Sequence, residues 1–171
     1  MRILLMVAGA IFLLAVGVVV IGSLLPKQHV ASRSASYRAT PEQLFTLIAG
    51  PQSWRPDVLR CETVRDAGGR ELMRETTRNG ETITYELLDR MPPTSIKRRI
   101  ATENLPYSGS WAFSLKPNGG MTTIVRITEN GQVYNPVYRF MSRFVLGHTR
   151  TMDAYLHALG KATGQEVEIR D

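Results

Sequence analysis

From Ile3 to Leu25 the chain runs for 23 residues without a charge, and 19 of them are hydrophobic. A surface helix of a small soluble domain does not carry apolar side chains on every face. At 1.5 Å per residue the run makes a helix about 35 Å long, enough for a hydrocarbon core of about 30 Å. A cleaved signal peptide has a shorter apolar stretch, roughly 7–15 residues, followed by a small-x-small site. This run is longer, is followed by no clear Ala-x-Ala site, and stops at Pro26-Lys27. We therefore read residues 1–25 as an uncleaved single-pass transmembrane anchor, with the bilayer as a partner. Its orientation is open. Lys27, Arg33 and Arg38 follow the run and only Arg2 precedes it, which places the remainder in the cytoplasm by the positive-inside rule. Short N-terminal tails also often stay inside, which would place it outside.

Residues 26–160 leave room for one compact domain, with 161–171 as a loose polar tail. Cys61 is the only cysteine, so a disulfide framework is excluded. The net charge is +6, but the arginines are spread among acids and the only dense run is Lys97-Arg98-Arg99. That distribution suits attraction to anionic headgroups better than a nucleic-acid interface, and nucleic acid is not expected as a partner.

Turn signals at Gly68-Gly69, Asn79-Gly80, Pro92-Pro93, Asn118-Gly119-Gly120 and Asn130-Gly131 punctuate the middle of the chain. The β-branched and aromatic stretches between them predict strands at 58–66, 70–78, 81–89, 95–102, 108–116 and 121–129. An earlier strand is expected at 28–39. Thr40-Pro41-Glu42-Gln43 reads as a capping box with proline at the first helical position, opening a short helix that stops at Gly50-Pro51. A second short turn is expected to run to Trp54. From Pro136 apolar residues recur every three or four positions as far as Leu159, which predicts one long amphipathic helix over 136–160, with Gly147 as a possible bend. The sum is an α+β domain: a curved seven-stranded antiparallel sheet needing a cover, and a C-terminal helix able to supply it.

That order resembles the helix-grip fold of the START and birch-pollen-allergen (SRPBCC) superfamily, and within it the bacterial polyketide cyclase/dehydrase and lipid-transport branch. The local resemblance lies in Ser53-Trp54-Arg55-Pro56-Asp57, in Leu105-Pro106-Tyr107-Ser108-Gly109-Ser110-Trp111, and in Ile127-Thr128-Glu129-Asn130-Gly131 leading to Tyr134-Asn135-Pro136-Val137-Tyr138-Arg139-Phe140. It covers roughly residues 28–160. The resemblance implies a lipid or other hydrophobic small molecule bound between sheet and long helix. It implies no shared catalytic motif.

Strand parity names the expected lining. A two-residue type I′ turn at Asn79-Gly80 pairs Arg78 with Glu81. One face then carries Leu72, Arg74, Ile83, Tyr85 and Leu87, and its apolar character points it inward. Arg98 is expected to point inward from the next strand, followed by Trp111 and Phe113. A five-residue loop after that strand puts Val125 on the same face. The helix would add Phe140, Met141, Phe144 and His148. Arg74 or Arg98 could meet a ligand carboxylate, although plain core packing is the commoner role for each aromatic and a structural pair for each arginine. No cofactor and no metal site is expected, since the three histidines form no cluster with Cys61. His148 is the best general-base candidate, although a satisfied core histidine is the commoner outcome for such a position. The expected role is binding without catalysis. A cyclase, dehydratase or hydrolase using His148 or an inward carboxylate is the alternative, and so is an interaction module presenting Tyr107, Tyr134 and the 130–138 loop to another membrane protein.

Overall fold

The computed structural model describes all 171 residues. Helix α1 (Arg2–Leu24) is the apolar run. Strand β1 (Gln28–Arg38) and helix α2 (Pro41–Ala49) follow. The meander comprises β2 (Val58–Arg65), β3 (Glu71–Thr77), β4 (Thr82–Met91), β5 (Ser95–Ile100), β6 (Tyr107–Pro117) and β7 (Thr122–Val133). The chain then forms α3 (Pro136–Met141), a π-helical turn (Ser142–Leu146), α4 (Arg150–Ala162) and the two-residue strand β8 (Ile169–Arg170). All pairings are antiparallel, in the order β2-β3-β4-β5-β6-β7-β1-β8. The sheet thus has eight strands, not seven, because the tail returns to pair Ile169 with Ala35.

The α2 cap forms as its sequence predicts. The Gln43 backbone N–H donates to Thr40 Oγ1 and the Thr40 N–H donates to Gln43 Oε1. The second short stretch forms as a turn at Ser53-Trp54, without a helix. The core lies where α2 and α4 meet the inner face of β1, β5, β6 and β7. Tyr37, Leu44, Ile48, Phe113, Leu115, Val125, Ile127, Met152, Leu156 and Leu159 are all buried there. The Tyr37 hydroxyl donates to the Leu156 carbonyl at 2.8 Å and ties β1 to α4.

The single long C-terminal helix is not formed. Gly147 takes φ +74, a value that leaves the helix entirely and suits a residue without Cβ. Upstream, Pro136 and the Asn135 side chain, which accepts from the Val137 and Tyr138 N–H groups, start a separate short helix. In the upstream half α3 packs on α1, and the π turn follows packed on α3, away from the underside of the sheet. Of the elements after β7, only α4 joins α2 in covering the inner face of the sheet. Its 13 residues span about 20 Å, whereas the 11 residues of β6 run about 36 Å. One end of the inner face is therefore left without a helical cover.

Candidate functional site

The uncovered end begins where β6 begins. Phe113 and Leu115 are buried beneath α4, whereas Tyr107, Gly109 and Trp111 on the same face remain half-exposed. The cross-strand pairs continue this half-open surface. Trp111 faces Arg98, Arg98 faces Leu87, and Tyr85 faces Ile100. Ile83, Tyr85, Leu87 and Ile100 are likewise half-exposed. The result is a shallow aromatic and aliphatic floor over β4, β5 and β6. Trp111 closes it on one side, with its ring edge-on to Tyr155 and its Nε1–H donated to Glu129 at 2.9 Å.

A buried polar cluster bounds the floor on the other side. Arg98, only 8% exposed, donates to the Ile48 carbonyl at 2.6 Å. That carbonyl lies in the last turn of α2, where the helix dipole favours a cation. Gln52 donates to the same carbonyl and accepts from the Tyr155 hydroxyl at 2.8 Å. Arg55 lies over the Tyr155 ring and donates to Glu75 at 2.9 Å. Burial raises the Glu75 carboxyl above the usual carboxylate range, although Arg55 and Arg98 pull it down. Burial also raises the Tyr85 and Tyr155 phenols and lowers Arg98. Arg55 moves up against the cost of its burial, through its hydrogen bond to Asp57 and the charge of Glu75. Cys61, paired with Glu75 across β2 and β3, is raised by burial and is no ready thiolate.

Several expected positions change. The β3–β4 hairpin pairs Met73 with Tyr85 and Glu75 with Ile83, one residue away from the type I′ register. A type I′ turn needs positive φ at both central residues, but only Gly80 has it. The loop is therefore three residues, with Gly80 in the left-handed position. A one-residue shift flips every β3 side chain. Leu72 and Arg74 lie on the outer face, where Arg74 is exposed and stands 3.8 Å from Glu62. Met73 and Glu75 take the inner places. Phe140 and Met141 belong to α3, which packs on α1, and Phe144 to the π turn that follows, where the Phe140 and Phe144 rings contact each other at 4.9 Å. His148 is also outside the α4–sheet interface; its ring stacks on His29 at 4.0 Å. Burial lowers the His148 pKa, and so do His29 and Arg143. Ile83, Tyr85, Leu87, Arg98, Trp111, Phe113 and Val125 do occupy the inner face, Phe113 and Val125 within the closed core.

The hollow expected beneath the C-terminal helix is filled by that core. A small recess of about 20 Å³ between α2 and β2–β5 reaches Tyr85, Leu87 and Arg98 and suits one water molecule. A wider depression of about 750 Å³ lies on the outer face of the sheet. It is open and mostly polar, and its Arg70 and Arg99 are both bound to Glu86, so it offers no apolar seat.

Glu75, Arg55, Gln52 and Tyr155 were not expected at the site. Arg55 sits in Ser53–Asp57, one of the stretches that carried the resemblance. Glu75 would have emerged from a three-residue reading of the hairpin.

The sequence profile of the family described as polyketide cyclase / dehydrase and lipid transport matches residues 28–162. Among solved structures, a START superfamily protein from Mycobacterium smegmatis superposes with a TM-score of 0.62 at 15% identity, covering 80% of this chain and 97% of that one. Norcoclaurine synthase from Thalictrum flavum gives 0.61 at 13%, covering 81% and 88%. The protein XoxI from Bacillus cereus gives 0.57 at 21%, covering 81% and 96%. At these identities the structural likeness is one of fold. No curated protein matches the chain in sequence.

Proposed function

The chain belongs to the polyketide cyclase / dehydrase and lipid transport family, and from that premise we propose that it binds a lipid or other hydrophobic molecule while tethered to a bilayer by α1, without catalysis of its own. The observation that carries this reading is the half-open floor of Ile83, Tyr85, Leu87, Ile100 and Trp111, bounded by buried Arg98. The family supports a hydrophobic guest. The geometry supports a seat along the bare end of the sheet, because the space under α4 is closed. A guest lying there would bury its apolar body on the floor and turn a polar end toward Arg98 or the half-exposed Glu129 edge.

A brominated fatty acid tests it. In the full-length Trp54→Phe protein, Trp111 is the only tryptophan, and its emission is expected to be quenched saturably by the brominated acid and restored by the unbrominated one. Unchanged Trp111 emission at saturating acid would overturn the reading.

One observation favours an enzymatic reading as well: Glu75 is a buried inward carboxyl with a raised pKa beside Ile83 and Cys61, a group fit for acid–base work on a hydrophobic substrate. Mass spectrometry of molecules that co-purify with wild type and with Glu75→Gln separates the two. Identical masses support binding alone, whereas a different molecule held by the variant indicates turnover.

A further inference from the structure

The segment that left the sheet has a destination of its own. We infer that α3 and the π turn lie in the surface of the bilayer that α1 spans, with Val137, Tyr138, Phe144, Val145 and Leu146 turned into the headgroup–acyl boundary. This rests on the anchored reading of α1.

Three observations carry it. First, the segment is fixed to the end of the anchor. Gly22 brings α1 against the Pro136 backbone so closely that a Cβ there would collide with the Pro136 carbonyl. Arg139, 7% exposed, donates to the Ser23 and Leu25 carbonyls at 3.4 and 2.8 Å. These are orphan carbonyls at the negative end of the helix dipole, where a guanidinium is stabilised. Second, the five side chains are exposed, Phe144 and Val145 by 59% and 60%. Being held at the end of a membrane-spanning helix, they sit at interface depth, where aromatic and aliphatic side chains partition and tyrosine is enriched. Third, the charge fits. No acidic residue occurs from Asn130 to Met152 or before Glu42, while Lys27, Arg143 and Arg150 are exposed beside the apolar group. Such cations meet lipid phosphates. The far end of the segment reaches the bare inner face, since His148 stacks on His29, which bonds to Glu129, the partner of Trp111. A bilayer seated here lies next to the mouth of the proposed seat, so a lipid can pass between them.

The test uses the full chain with Cys61→Ser, carrying one environment-sensitive fluorophore at Phe12→Cys, Phe144→Cys or Asn118→Cys. Asn118 is exposed at the opposite end of β6. Each protein is placed in phosphatidylcholine–phosphatidylglycerol nanodiscs with acyl-brominated lipid. We expect emission at 12 and 144 to fall by about half or more and emission at 118 to stay unchanged. Quenching at 12 without quenching at 144 overturns the inference and leaves the anchor intact. If the label at 144 is then also shielded from aqueous iodide, a second copy or another protein covers the face, and the inference fails equally. Quenching at 144 without 12 overturns the spanning reading and the inference that rests on it. Equal quenching at all three sites, or at none, overturns the inference.

Discussion

The Arg55 guanidinium donates to the Glu75 carboxylate at 2.9 Å, across an inner surface where Glu75 is 3% exposed. Removing one member of a buried pair costs more than the pair is worth, because the remaining charge is left without a partner, at about 3–5 kcal/mol. Arg55→Ala is therefore expected to lose stability on that scale in denaturant titrations of the full chain at fixed micelle composition. Glu75→Gln is expected to lose less, since the amide oxygen still accepts from Arg55 and Arg55 still faces Asp57. Equal losses from the two substitutions would contradict this account.

The pH dependence of that pair has a definite sign. Burial raises the Glu75 carboxyl above its ordinary 4.5, against the pull of Arg55 and Arg98. The folded state then holds a proton that the unfolded state has released, so this group's contribution falls as pH rises through the interval above 4.5. The stability of wild type minus that of Glu75→Gln is expected to decline across that interval and then level. A difference that grows with pH would show that the ion pair, not burial, governs the group.

Arg98 and Arg74 make an internal comparison. Arg98 is buried and bonded to the Ile48 carbonyl, whereas Arg74 is exposed and only 3.8 Å from Glu62. Arg98→Ala is expected to cost about 1.5–3 kcal/mol for the charged hydrogen bond alone. Arg74→Ala is expected to stay within about 0.5 kcal/mol, as exposed substitutions do. A costly Arg74→Ala would restore the inward register of β3 that the Asn79-Gly80 turn first suggested.

The same hairpin shows where the sequence was legible and where it was not. Turn residues marked every strand of the meander to within a few positions, because glycine, proline and asparagine have local conformational causes. The five-residue loop reading puts Val125 on the face of Phe113 and Leu115, and β7 pairs Val125 with Leu115 there. Facing is less local. It depends on whether Asn79 shares Gly80's positive φ, and one residue of slip exchanged Arg74 for Glu75. The C-terminal helix failed for another reason. An apolar periodicity states that a face will be covered but not by what, and α1 competed with the sheet for residues 136–146. The two-residue β8 is too short to leave a periodic signal.

The His29–His148 stack predicts a local acid response. Burial, His29 and Arg143 lower the His148 pKa from 6.5. The unfolded chain takes up that proton first as pH falls, so the contribution of His148 to stability is present above 6.5 and is lost below it, down through the folded value. NMR titration should place His148 below 6.5, and Arg143→Ala should move it upward. No movement in that variant would exclude Arg143 from the field at the stack.

Gly22 and Gly17 separate packing at the α1–α3 joint from the general cost of changing α1. A side chain at Gly22 collides with the Pro136 backbone, which has no flexible end to yield, whereas nothing lies within 4 Å of the position a Cβ would take at Gly17. Gly22→Leu is expected to push α3 off α1 and to break the Arg139 bonds to Ser23 and Leu25, while Gly17→Leu leaves both in place. Arg139 is buried in the joint, so trypsin reaches its peptide bond only when the joint opens. Cleavage after Arg139 in nanodiscs should rise sharply in Gly22→Leu and remain at the wild-type rate in Gly17→Leu, with the denaturation midpoint of the sheet and α4 unchanged in both. The same rate in both variants would mean that α1 and α3 are not held together by this contact.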